Sequence, residues 1–120
     1  MNLKTTTIPE NNTLVSVLIV EDNPGDLFLL EETLRLTRLP FKNIFTATSV
    51  AGAVKVLNEQ LVNVVLLDLS LPDSSGFNSY EEVSKFAFAI PIIVLTGLAD
   101  MELALETMAS GAQDYLIKGE

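Results

Sequence analysis

Histidine and cysteine are both absent from this chain of 120 residues. Without them there is no Ser-His-Asp or Cys-His nucleophile pair, no zinc site of nitrogen and sulfur ligands, and no disulfide. Basic residues are also scarce. Seven Lys and Arg face 16 Asp and Glu, for a formal net charge of −9 and an isoelectric point near 4.3. A surface of that sign repels phosphate backbones and anionic membranes, so no direct nucleic-acid or membrane contact is expected. Long apolar runs are missing too. Hydrophobic residues make up 48% of the chain and the mean hydropathy is +0.39, yet no run reaches the ~18 residues that cross a bilayer. Residues 1–13 are polar, Thr- and Asn-rich and interrupted by Pro9, with no apolar stretch of the signal-peptide kind. They read as a disordered or loosely attached tail ahead of one domain at 14–120, in a cytoplasmic protein.

What the chain does contain is an alternation of two periodicities. Leu14 to Val20 is an almost continuous aliphatic run, which suits a strand buried on both faces of a parallel sheet. Asn23 then offers an N-cap and Pro24 a first helical residue. Leu27, Leu30 and Leu34 recur at helical spacing in a helix running to about Thr37. Asn43 to Ala47 is a second strand, and Ser49 caps a helix whose apolar stripe is Val50, Ala53, Val54 and Leu57. Val62 to Leu67 is a third strand ending in Asp68, and a Ser/Pro/Gly loop from Ser70 to Gly76 leads into a helix over Phe77 to Phe88. Ile92 to Leu95 is the fourth strand with Thr96-Gly97 at its exit. Asp100 caps a helix through Ser110, Gly111 stops it, and Tyr115 to Ile117 is the fifth strand. Strict β/α alternation of this kind predicts an α/β fold, a doubly wound five-stranded parallel sheet in the order 2-1-3-4-5. The pattern is (βα)4β, one covering helix short.

Glu21, Asp22 and Asp68 fall at the carboxyl ends of strands one and three, which flank the crevice where open α/β sheets place ligands. An acidic pair ahead of a helix also has a plain use as a solvated cap that favours the helix dipole. Asp68 differs, because a carboxylate ending a buried strand is expensive without a partner. Converging carboxylates repel: two charges ~4 Å apart cost about 4 kcal/mol at an effective dielectric of 20. An all-oxygen cluster calls for a hard cation, Mg²⁺ first and Mn²⁺ second. Lys118, at the end of strand five, is the other candidate cation, and Thr96 can present a hydroxyl on the same edge. A carboxylate among these groups can attack phosphorus to form an aspartyl-phosphate. Taken singly, Thr96 also fits a simple strand end and Lys118 a solvated terminal lysine. Together, at one end of consecutive strands, they make a phosphoryl site.

Val17 to Pro24 (VLIVEDNP), Val65 to Gly76 (VLLDLSLPDSSG), Ile92 to Gly97 (IIVLTG) and Gly111 to Lys118 (GAQDYLIK) together resemble the signatures of response-regulator receiver domains, a flavodoxin-like family, from about Leu14 to Lys118. The resemblance implies a phosphorylation-dependent switch of a two-component system, not a turnover enzyme. It implies a phosphoacceptor at Asp68 and Mg²⁺ held by Glu21, Asp22, Asp68 and the backbone carbonyl of Ser70. Lys118 would contact the phosphoryl group, and Thr96 and Tyr115 would be the switching pair, although an aromatic in so short a strand is also ordinary core. The implied donor is a histidine kinase or a histidine phosphotransfer protein, and the implied reader an output domain in a missing C-terminal part of the parent chain.

The family commonly follows its lysine with proline and one more helix. Gly119 stands here instead and the helix is absent, so an open apolar face able to pair two copies is expected. Leu98, two residues past Thr96, has no polar group to orient water, so a slowly decaying phosphorylated form is expected. Three rivals fit less well. A haloacid-dehalogenase-type phosphatase needs a second Asp where Ser70 stands. A flavin-binding module needs a first loop that does not repel phosphate, and Glu21 to Asp26 is acidic. An unphosphorylated docking domain would not need all the reactive positions filled.

Overall fold

Aliphatic runs with no polar face must be covered on both sides, and a layered α/β arrangement does this. In the computed structural model, which describes residues 14–118, strands β1 (Val15–Val20), β2 (Phe41–Ala47), β3 (Val64–Asp68), β4 (Ile92–Thr96) and β5 (Asp114–Ile117) form one parallel sheet. Counting these strands alone, the order is β2-β1-β3-β4-β5, as expected. The helices are α1 (Pro24–Leu36), α2 (Val50–Glu59), α3 (Phe77–Phe86) and α4 (Met101–Ala109). The expected tail at 1–13 and Gly119 lie outside the described residues.

Alternate residues of each strand serve opposite layers. Leu18, Val20, Val65, Leu67 and Val94 face a core shared with Ala53 of α2, Val83 of α3 and Ala104 of α4. Val17, Ile19, Leu66 and Leu95 face the other way, where Leu27, Leu30 and Leu34 of α1 pack over them. Full burial of one such side chain contributes ~1.5–3 kcal/mol, so the β1 and β3 runs anchor the fold. The second layer is thin: no residue of α1 is fully buried, and Leu116 and Ile117 on β5 remain 49% and 40% exposed. Between α1 and β5 lies an open groove of about 620 Å³ lined largely by Leu29, Leu30, Leu95, Leu116 and Ile117.

Two of the three helix start signals work as read. Asn23 accepts the Asp26 N–H at 2.9 Å and Ser49 accepts the Gly52 N–H at 3.0 Å. Several boundaries differ. β2 begins at Phe41, two residues early, because the Val15 N–H bonds the carbonyl of Pro40 and pairing starts there. β3 begins at Val64, after the Asn63 side chain has accepted the Ser16 N–H. Helix α3 stops at Phe86, since the chain reverses through Ala89 at φ 63° to enter β4. Asp100 occupies the N-cap position of α4 but makes no capping bond, because the chain enters through a 3₁₀ turn at Leu98–Asp100. The loop after Asp68 is not irregular throughout: Ser70–Leu71 and Ser74–Ser75 pair as a two-residue antiparallel hairpin.

Candidate functional site

Strand register places the polar strand ends in a staircase. Val20 pairs with Leu67, so Glu21 and Asp68 come next side by side. Asp68 pairs with Leu95, which sets Thr96 one step further along, and Thr96 pairs with Ile117, which sets Lys118 one step beyond that. The Lys118 backbone N–H donates to the carbonyl of Thr96 at 2.8 Å, which carries the β4–β5 pairing one step past Ile117 and fixes Lys118 at this edge.

At the centre, carboxylate oxygens of Glu21, Asp22 and Asp68 lie within 4.8 Å of one another. Glu21 and Asp68 are buried while Asp22 is exposed, so the cluster opens to solvent on one side. Lys118 Nζ reaches Asp26 Oδ2 at 3.1 Å, Glu21 Oε1 at 3.3 Å and Asp68 Oδ2 at 3.5 Å. Burial opposes the charge of this lysine, but Asp26, Asp68 and Glu21 outweigh that and raise its pKa well above the ordinary lysine value. Glu21 moves the opposite way for a carboxylate. Burial first and Asp68 second push its pKa up to about 7, the Asn23 N–H and Lys118 offsetting only part of their effect. A fully buried acid beside a second acid holds its proton because charging it there is costly.

The donors are all oxygen and three carboxylates converge with a single lysine among them. That set fits a small hard divalent cation, which would offset the repulsion Lys118 leaves uncompensated. The Ser70 N–H donates to Asp68 Oδ1 at 3.2 Å, fixing the start of the hairpin against this carboxylate.

Thr96 is buried on the same edge, but its hydroxyl lies 3.4 Å from the carbonyls of Gly97 and Asp100 and serves the 3₁₀ turn. Tyr115 is half-buried against the core of the three-helix layer. Leu98 is 67% exposed in the turn beyond Thr96. The structure thus brings Glu21, Asp22, Asp68, Ser70 and Lys118 together, and leaves the Thr96 hydroxyl turned aside. Asp26 makes the shortest contact to Lys118 and has no counterpart among the residues expected from the sequence. Its signal was there, since an acid three residues past the Asn23 cap stands in the first turn of α1, above the strand ends.

Comparison with known proteins gives the family and the fold. The chain matches the family described as Response regulator receiver domain over residues 17–120. The transcriptional regulatory protein ZraR of Escherichia coli (strain K12) is 30% identical over 104 residues, covering 87% of this chain and 23% of ZraR. The chain therefore spans less than a quarter of that relative. Among solved structures, the N-terminal signal receiver domain of a two-component system response regulator from Bacteroides fragilis is similar with a TM-score of 0.77 at 30% identity, over 88% of this chain and 84% of that one. The receiver domain of the sensor histidine kinase PA1611 from Pseudomonas aeruginosa PAO1, solved with a magnesium ion coordinated in its active site cleft, is similar with a TM-score of 0.73 at 28% identity, over 89% and 87% of the two chains.

Proposed function

The chain belongs to the response regulator receiver domain family, and from that premise we propose that it is a switch that accepts a phosphoryl group on Asp68. The observation that carries this reading is the convergence of three carboxylates within 4.8 Å with Lys118 Nζ 3.5 Å from Asp68. Receiver domains are signalling switches and not turnover enzymes.

An Asp68 oxygen forms a bond to phosphorus as the donor's P–N bond breaks, and the electron pair leaves on the donor imidazole. The donor is a histidine kinase or a histidine phosphotransfer protein; this chain has no histidine of its own, so the phosphohistidine comes from another protein or from another part of the parent chain. Glu21, Asp22, Asp68 and the Ser70 carbonyl would hold Mg²⁺, or Mn²⁺ in its place, which supplies positive charge against that developing on the phosphoryl oxygens. Lys118 donates to a second phosphoryl oxygen, exchanging its contact with Asp68 for one with the transferred group. The Thr96 hydroxyl leaves the carbonyls of the 3₁₀ turn for a third oxygen, and Tyr115 follows into the space it vacates. Leu98 shields the new acyl phosphate from water and slows its loss. The change is read by an output domain of the parent protein in the cytoplasm, and two copies pair through the strip between α1 and β5.

Incubation with a small phosphodonor and Mg²⁺, followed by intact mass, tests the central step. One phosphoryl group is expected on the wild-type chain and none on Asp68→Asn. A wild-type chain that stays unmodified, or an Asp68→Asn chain that is modified equally, overturns the reading.

A further inference from the structure

Asp73 lies in the hairpin that follows Asp68, yet its side chain leaves that hairpin for a helix elsewhere. Oδ1 accepts the Val50 N–H at 2.9 Å and Oδ2 accepts the Ala51 N–H at 3.1 Å. Ser49 Oγ takes the Gly52 N–H at 3.0 Å, and the Ala53 N–H makes the first bond within α2, to the Ser49 carbonyl at 3.0 Å. Every first-turn donor that α2 cannot satisfy by itself is therefore taken, one by its own cap and two by a carboxylate more than 20 positions away. The Val50 N–H, joined by that of Ala51, holds the Asp73 carboxyl below its ordinary range, so it is charged at neutral pH.

These bonds complete a ring. The Glu21 N–H donates to the carbonyl of Ala47 at 2.9 Å, at the end of β2 just ahead of α2. From α2 the path crosses through Asp73 to the hairpin, where Leu71 pairs with Ser74 and Ser70 with Ser75. The Gly76 N–H closes the hairpin base on the Leu69 carbonyl at 2.8 Å, and the Ser70 N–H returns to Asp68 at 3.2 Å. Pro72, with a fixed φ, precedes Asp73, so little slack lies between the clamp and Ser70. Among the described residues of this ring, Asp73 is the side chain that hydrogen-bonds the hairpin to α2.

We propose that Asp73 is a positioning residue that clamps the hairpin to the α2 N-terminus and so sets where Ser70 and Asp68 stand for a divalent cation, an inference that rests on the ion site proposed above. Groups of this kind, which orient ligands without touching the ion, change metal affinity by about 10–100-fold when removed.

The test compares Asp73→Ala, Asp73→Asn and Ser49→Ala by calorimetric titration with Mg²⁺ and by phosphorylation rate at several Mg²⁺ concentrations. Asp73→Ala is expected to weaken Mg²⁺ binding about tenfold, with a rate that falls at low Mg²⁺ and recovers at saturation. Asp73→Asn keeps one acceptor and falls between the two. Ser49→Ala removes a bond at the same helix end without touching the hairpin, so it lowers thermal stability and leaves Mg²⁺ affinity unchanged. Wild-type affinity in a folded Asp73→Ala, or an equal loss in Ser49→Ala, overturns the clamp. A wild-type chain that binds no Mg²⁺ overturns instead the ion site on which it rests.

Discussion

Glu21 is fully buried, next to Asp68 and 3.3 Å from Lys118. Its pKa stands at about 7 in the folded chain against an ordinary 4.5, with burial as the leading cause. A folded state that holds this proton more tightly than the unfolded chain has its full share of stability below pH 4.5 and loses it as pH rises through 7. Glu21→Gln keeps the shape of the protonated acid and cannot charge. In chelator, the variant is expected to be more stable than wild type at pH 8, by about 3 kcal/mol at most, and equal to it near pH 4.5. Denaturant melts across that range check this, and parallel curves for the two proteins would rule it out. Added Mg²⁺ should narrow the gap, because a cation in the cluster favours the ionised Glu21. That Glu21 ends a buried strand was readable from its place after VLIV. That it is sealed completely from solvent depends on its tertiary neighbours, the end of β2 at Ala47, Asp68 of β3 and Lys118.

Helices and strands here were readable wherever the local pattern is strong and blurred where tertiary contacts set the ends. The β1, β3 and β4 runs are unmistakable because aliphatic residues on both faces suit only a covered sheet. The hairpin at Ser70–Leu71 and Ser74–Ser75 carries no such pattern; two-residue strands are held by their surroundings. The turn between α4 and β5 shows how an element boundary is enforced. Gly111 has φ 122°, and a Cβ there would meet the Tyr80 hydroxyl oxygen at 3.0 Å. Tyr80 is buried on α3 with its hydroxyl donating to the Ser110 carbonyl at 3.4 Å, so it has little room to yield. Gly111→Ala should therefore cost ~1–3 kcal/mol, from backbone strain plus the contact with Tyr80. Urea unfolding checks this as a lower midpoint at constant slope. An unchanged midpoint would mean that the turn relaxes freely.

Across the whole molecule, a net charge of −9 works against the apolar strip that α1 and β5 leave open. Two copies that pair through Leu29, Leu116 and Ile117 bring like charges together, so their association should be weak at low salt and strengthen as salt screens the repulsion. Sedimentation at rising protein and salt concentration is expected to show that trend, and a monomer under every condition would remove pairing from the proposed function. The sequence alone determined the alternation of strands and helices, the two-faced burial of the strands and the placement of Glu21, Asp22, Asp68, Thr96 and Lys118 at strand ends, because each follows from local periodicity. Tertiary structure alone decided which groups meet. Lys118 reaches Glu21 across 97 positions and also takes Asp26 as a partner, while Asp73 crosses to α2 and the Thr96 hydroxyl turns toward the 3₁₀ turn. Such contacts depend on strand register and on the direction of each side chain at a turn, and neither is written in the spacing of residues along the chain.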